Sequence, residues 1–390
     1  MRVLFLTKQQ YMGKDLLRDR FGRFYEFPRV LAGHGHNVRG VCLKYWDDGV
    51  EAGAQPQYLD DVEWQSFKLG WNWPAAFFRH YQRLMEMASD FAPEIVVGAS
   101  DAVHVMLAAS LSSKIGIPLA VDLYDDFESY GATKLPCFKT GLKRGILKAS
   151  AISTVSNNLA KKVKYQYRAT GIVRTISNAI CPEIFHPTDK RLARRKLRLP
   201  ESGLLIGTAG ALTANRGLKT LFEAFNELSS ARDNVYLVLA GRTESDFPIP
   251  LNDKIYYLGE LAHADVGDFF NALDVGIVCN RRNQFADYGF PQKYYEMIGC
   301  RLPVVAARVG AMQNLLVGYE NCLYEPDQAD SLADAVNKQI NKPCVMNIAV
   351  PTWKDRGTDF QQLLEAVLKR SGGRDVDIPS SSGDSLIVDA

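Results

Sequence analysis

Short β-branched runs and longer amphipathic stretches alternate twice over in this chain, once before a break near residue 178 and again from residue 204. Runs 2–6, 37–43, 95–98, 118–122, 151–155 and 171–176 read as strands, with helical spacing over 24–32, 73–88, 103–113 and 158–167 between them. The second round places strands at 204–208, 235–240, 255–258, 275–279 and 303–306, and helices at 218–228, 266–272 and 293–299, with further helices at 329–339 and 360–368. Strand and helix in succession predict parallel sheets covered by helices. A length of 390 residues exceeds a single ordinary core. The expected architecture is therefore α/β, with two Rossmann-like parallel-sheet domains, 1–187 and 188–350, facing each other across a cleft. Residues 178–187 read as a loop and the charged 188–200 as a linker or the lead into the second domain. Residues 351–370 are expected to return as a helical segment to the N-terminal domain, and the Ser-, Gly- and Asp-rich 371–390 to be a disordered tail.

Several classes of protein fit poorly. Cysteines 42, 137, 181, 279, 300, 322 and 344 are scattered, with no CxxC pair and no zinc-ligand spacing, and read as reduced thiols of a cytosolic chain that needs no metal. The opening MRVLFL passes at once to Thr7, Lys8 and Gln9, the pattern of a first strand rather than of a secretory leader. No run approaches the ~18 apolar residues of a membrane span, so the expected location is cytoplasmic. A dinucleotide oxidoreductase is disfavoured because the first strand is not followed by GxGxxG.

Net charge is only +2, yet from Lys134 to Arg174 there are ten basic residues and no acidic one. Such a field attracts phosphates. With the aromatic segment from Trp71 to Phe78 it fits peripheral contact with an anionic membrane at the inner face, and equally fits lysines facing water over a packed aromatic core. Neither an RNP-like strand nor a recognition helix accompanies it, so nucleic acid is not an expected partner.

Two segments of the second half carry chemistry. Gly207 to Gly217 joins a predicted strand to a predicted helix, and Gly210 and Arg216 within it are suited to a phosphate, as they are to a plain tight turn. In Tyr288-Gly289-Phe290-Pro-Gln-Lys293-Tyr-Tyr-Glu296, helical spacing puts Lys293 and Glu296 on one face. An ammonium and a carboxylate there suit a phosphate and a sugar diol, or else form an ion pair on a solvated surface.

These motifs, with Gly22 before a helix, the Gly-His-Asn-Val at 35–38 and the Asn178 to Pro187 crossing, resemble in order and spacing the retaining glycosyltransferases of family 4, the group 1 glycosyltransferases of GT-B fold. The resemblance runs over about residues 1–370 and implies a nucleoside-diphosphate-sugar donor and no cofactor. It also implies retention of anomeric configuration and a saccharide or polyprenyl-linked acceptor of surface polysaccharide or glycolipid synthesis. By it Glu296 holds the donor ribose, Arg216 stands where the family has a diphosphate-binding lysine, and Gly22 lets a loop approach the donor phosphates. Two positions depart from the pattern: Ala211 replaces a common arginine and Tyr288 a common glutamate. Lys293 is suited to replace the missing charge, and the backbone of Tyr288, Gly289 and Phe290 to meet the sugar.

Acceptor-side candidates follow the predicted strand 118–122: Asp122, Asp125, Asp126 and Glu128, with Asp125 or Asp126 as the catalytic carboxylate and Asp101 and His104 as a second group. A solvated acidic loop and a core histidine are the plain alternatives. A sugar-nucleotide epimerase, or a non-catalytic nucleotide-sugar-binding scaffold or regulator, also fits these residues. The base, the sugar and the acceptor are not legible.

Overall fold

The structure is a computed structural model that describes residues 1–11, 13–45, 56–68, 73–129, 131–244 and 248–371, excluding the side chains of 73–75 and 371. It divides into two units, one of Met1–Asn178 together with the chain from Trp353, the other Ala179–Thr352.

In the first unit the strands are β1 (Arg2–Lys8), a hairpin of β2 (Gln10–Tyr11) and β3 (Lys14–Asp15), β4 (Asn37–Lys44), β5 (Gln57–Leu59), β6 (Val62–Lys68), β7 (Ile95–Ala99), β8 (Leu119–Leu123), β9 (Ala151–Thr154) and β10 (Ile172–Thr175). Eight of them form one sheet in the order β10-β9-β8-β7-β1-β4-β6-β5. Its pairings are parallel except for β5 against β6. β1 and β7 are uniformly apolar over Val3–Leu6 and Ile95–Val97 because helices cover both faces of a parallel sheet.

The second unit carries β11 (Leu204–Ala209), β12 (Val235–Ala240), β13 (Ile255–Tyr257), β14 (Val275–Val278), β15 (Val304–Ala307) and β16 (Leu323–Tyr324). They lie in the order β13-β12-β11-β14-β15-β16, all parallel. This doubly wound order reverses between β11 and β14, and the crevice beyond the carboxyl ends of those strands is where such sheets bind ligands. In the first unit the reversal lies between β1 and β7.

The crossing comes at Asn178, earlier than the expected boundary at 187, because the loop 179–187 packs on the second unit. Ile180 and Phe185 are buried in that unit's core, and Ile180 bridges to Thr352, so the outgoing and returning strands run side by side. Of the two readings of 188–200, the lead into the second unit holds: Lys190–Lys196 is helical, and buried Arg194 donates to Asp274 at 2.7 Å and to the Ala272 carbonyl at 2.9 Å. The returning helix Trp353–Ser371 belongs to the first unit. There Phe360 stacks on Phe27 with ring centroids 4.8 Å apart. The tail from 372 lies outside the described residues.

Candidate active site

In the second unit the β11/β14 reversal gathers most of the expected donor-side residues. Helix Gln292–Gly299 begins just after Pro291, whose fixed backbone suits a helix entry. It buries Tyr294, Tyr295, Met297 and Ile298, so its opposite face carries Lys293 and Glu296. The two do not pair with each other. Lys293 Nζ donates to Thr208 Oγ1 at the end of β11 at 3.3 Å, and Glu296 Oε1 accepts from Gln292 Nε2 at 2.9 Å.

Both ionisations are displaced toward neutrality. Desolvation pushes the Lys293 ammonium down to about 8, with Arg216 adding to the fall and Cys279 and Glu296 opposing it. Desolvation likewise pushes the Glu296 carboxyl up to about 7 against the Gln292 hydrogen bond and the Lys293 charge. A cation and a carboxylate kept apart, each poorly solvated, form a site that gains from a ligand supplying an anion to one and hydroxyl donors to the other.

Arg216 ends the short turn Ala214–Arg216, and its guanidinium stacks 3.9 Å from the Phe285 ring centroid. Gly210 has φ 112, and a Cβ there would lie 3.5 Å from Lys293 Nζ, so glycine keeps the approach to that ammonium open. Its amide, however, donates to the Ala240 carbonyl at 2.9 Å and continues the sheet. Gly289 also differs from expectation. Its amide closes helix Gln284–Tyr288 through the Phe285 carbonyl at 2.9 Å, and so is not turned toward a ligand. Phe290 packs on Tyr295 with ring centroids 4.8 Å apart, and Tyr288 is the last residue of that short helix.

In the first unit Gly22 precedes helix Arg23–Gly33 with φ 79, and a Cβ there would come 2.6 Å from the Tyr11 ring. The acidic loop separates by role. Asp122, expected to face an acceptor, is instead a fully buried structural ion: Arg23 Nε and Nη2 reach its two oxygens at 2.9 and 2.7 Å, and Ser153 donates to it as well. Asp126, expected as a catalytic carboxylate, is likewise buried, with both oxygens 2.8 Å from Lys162 Nζ. Glu128 lies 3.2 Å from the same ammonium. These partners account for Asp122, Asp126 and Glu128. Asp125 remains at the carboxyl end of β8, where its Oδ1 accepts the Asp126 amide at 2.7 Å.

Asp101 caps helix Ala102–Ile115 and accepts from the His104 amide, from His104 Nδ1 at 2.8 Å and from Tyr45 Oη at 2.9 Å. Burial works against its charge, but His104 and Lys8 outweigh it and hold the carboxyl below its usual value. His104 Nε2 is buried without a partner.

Lys8 and Tyr45 sit in ordinary runs and carry no motif signal, whereas Thr208 and Gln292 lie inside the two segments singled out in the second half and gain a role only from their contacts with Lys293 and Glu296. The basic stretch is less uniform than its sequence suggests: Lys162 and Arg174 are buried, whereas Lys134, Lys139, Lys143, Arg144, Lys148, Lys161 and Arg168 are exposed. Of the segment from Trp71 to Phe78, residues 71 and 72 lie outside the described residues, and Phe78 is exposed.

Residues 203–342, a little over a third of the chain, match the family described as "Glycosyl transferases group 1". TuaC of Bacillus subtilis, a glycosyltransferase assigned to teichuronic acid biosynthesis, is 25% identical over 60% of this chain and 59% of its own. The D-inositol 3-phosphate glycosyltransferase of Stackebrandtia nassauensis is 25% identical over 51% of this chain and 48% of its own. The capsular polysaccharide biosynthesis glycosyltransferase CapM of Staphylococcus aureus is 24% identical over 48% and 49%. The matches thus span about half to three fifths of these relatives. Among solved structures, sucrose-phosphate synthase from Thermosynechococcus elongatus superposes with a TM-score of 0.71 at 15% identity over 95% of this chain and 97% of its own. Anabaena HepE in complex with UDP and glucose gives 0.66 at 17% identity over 95% and 98%. The chain therefore has the GT-B fold, and its second unit resembles group 1 glycosyl transferases.

Proposed function

We propose that this protein is a glycosyltransferase that takes a sugar from a nucleoside-diphosphate-sugar donor and passes it, with retention of configuration, to a saccharide or lipid-linked saccharide acceptor. The observation that carries the proposal is the meeting of Lys293, Glu296 and Arg216 at the β11/β14 reversal, within the segment that matches the group 1 family. In this scheme Glu296 accepts the ribose hydroxyls while Lys293 and Arg216 meet the diphosphate. The leaving diphosphate gains charge as the glycosidic bond breaks, so fixed cations at its oxygens act most strongly in the transition state. The first unit supplies the acceptor side, and Asp125 is its remaining carboxylate candidate.

The experiment is a thermal-shift panel of UDP, GDP, ADP, CMP and their common sugar conjugates, because selective binding to the native state raises apparent stability. A selective rise for one base supports the proposal and names the donor to assay for transfer. A flat response to every nucleotide contradicts it.

The displaced ionisations predict the pH dependence of donor binding. Below about 7 Glu296 takes up a proton and loses acceptor capacity, and above about 8 Lys293 loses its charge. Affinity for the nucleotide sugar, whose diphosphate does not titrate in this range, should peak between those values. On each limb it should fall about tenfold per pH unit. Calorimetric titrations across the range check this, and a flat profile contradicts the assigned roles.

The acceptor proposal includes peripheral contact with an anionic bilayer at the cytoplasmic face. Supporting it, Leu135, Leu147 and Tyr165 are 56%, 40% and 59% exposed within the basic stretch. No helix among the described residues is long and apolar enough to cross a membrane. The protein is expected to float with anionic vesicles and to be released by salt. Equal recovery with neutral vesicles would sink the idea.

A further inference from the structure

The reversal point of the first sheet holds a cation whose only hydrogen-bonding partner among the described residues is a phenol. Lys8 is the last residue of β1, beside β7, and its Nζ donates to Tyr124 Oη at 3.2 Å. The ammonium lies 5.4 Å from the Tyr124 ring centroid and 6.0 Å from that of Tyr11, so aromatic walls replace part of its hydration. Asp101 and Asp125 act on it only through space, and Asp101 is already committed to Tyr45 and His104. An ammonium has three donors, and among the described residues one of them is used.

The backbone next to it is strained. Ser100, at the carboxyl end of β7, has φ 76, a left-handed conformation unusual for a residue with a side chain. Its Oγ accepts the Lys8 amide at 2.9 Å and lies 3.2 Å from His104 Nδ1. His104 Nδ1 faces Asp101, and its Nε2 is buried with no partner among the described residues. A poorly solvated cation and a strained strand end thus lie together where a doubly wound sheet takes its ligand.

We propose that Lys8 is the counter-ion for a phosphate or carboxylate group carried by the acceptor, bound beyond the carboxyl ends of β1 and β7. The inference rests on assigning the acceptor to this unit. Burial pushes the Lys8 ammonium below the usual lysine range against the pull of Asp101 and Asp125, and a bound oxyanion would raise it again.

The test uses protein whose lysines carry 13C-dimethyl groups, which keep their charge, with the Lys8 resonance assigned by its loss in Lys8→Arg and Lys8→Gln. Inorganic phosphate and glucuronate are the probes, with glucose as the neutral control. The Lys8 resonance should move saturably with one of the two anions and not with glucose. Its titration midpoint should then rise, by about one pH unit for tenfold tighter anion binding to the charged form. The responding anion distinguishes phosphate from carboxylate. A Lys8 response no larger than that of exposed Lys134 and Lys139 means an adventitious ion only and overturns the proposal. Movement with a nucleotide sugar but with neither anion also overturns it, by assigning Lys8 to the donor. Nucleotide binding is followed in the same sample, so failure of the donor assignment and failure of the Lys8 assignment are read separately.

Discussion

Asp122→Ala should cost about 3–5 kcal/mol of stability, because it leaves the Arg23 guanidinium buried without its counter-ion. Both side chains are fully buried and joined by two hydrogen bonds, with Arg23 Nη1 also reaching Asn178 Oδ1 at 3.2 Å and the guanidinium 4.8 Å from the Phe27 ring. The network ties helix Arg23–Gly33 to β8 and to the residue where the chain leaves the first unit. Urea unfolding should show the loss as a lower midpoint. The double variant Arg23→Met with Asp122→Leu should recover much of it, since replacing a whole buried pair by apolar groups is far cheaper than stranding one ion. An Asp122→Ala protein of unchanged stability but lost transfer activity would return Asp122 to the acceptor site.

Glu296→Ala should weaken nucleotide binding about 10–100-fold while leaving stability unchanged or higher. The binding loss is that of charge-assisted hydrogen bonds to the ribose, about 1.5–3 kcal/mol. Stability does not fall because desolvation already disfavours the ionised carboxyl in the folded chain. Lys293→Ala should weaken binding to a similar degree through the diphosphate, and the two losses need not add, since the groups share one ligand. Calorimetry with the responding nucleotide gives the binding loss, and urea unfolding gives the stability. A stability loss matching the binding loss would mark Glu296 as a structural residue.

The repetition of βα units was legible because parallel strands buried on both faces read as continuous apolar runs, as at Val3–Leu6 and Leu237–Ala240. The edge pair β5 and β6 was not identified. Val62, Trp64 and Ser66 alternate inward with Glu63 and Gln65, which reads weakly over so short a span. The charges of 188–200 suit a linker as well as the lead into the second unit, and only the pairing of Arg194 with Asp274 inside that unit separates the two.

At the candidate site, motif spacing places Lys293 and Glu296 on one face because both lie on one helix, as they do. It could not separate Asp122 and Asp126 from Asp125. Whether a carboxylate faces a ligand or a buried cation depends on Arg23 and Lys162, which are 99 and 36 residues away in the chain. Lys8 carries no sequence signal for the same reason: its position acquires meaning only when β7 is placed beside β1.

The most direct test of the donor site is a crystal structure with the nucleoside diphosphate that gives the largest thermal shift. The account predicts ribose hydroxyls within hydrogen-bond distance of Glu296 and the diphosphate against Lys293 and Arg216, beyond the ends of β11 and β14. Nucleotide density elsewhere in the protein, with Glu296 still held only by Gln292, would contradict it.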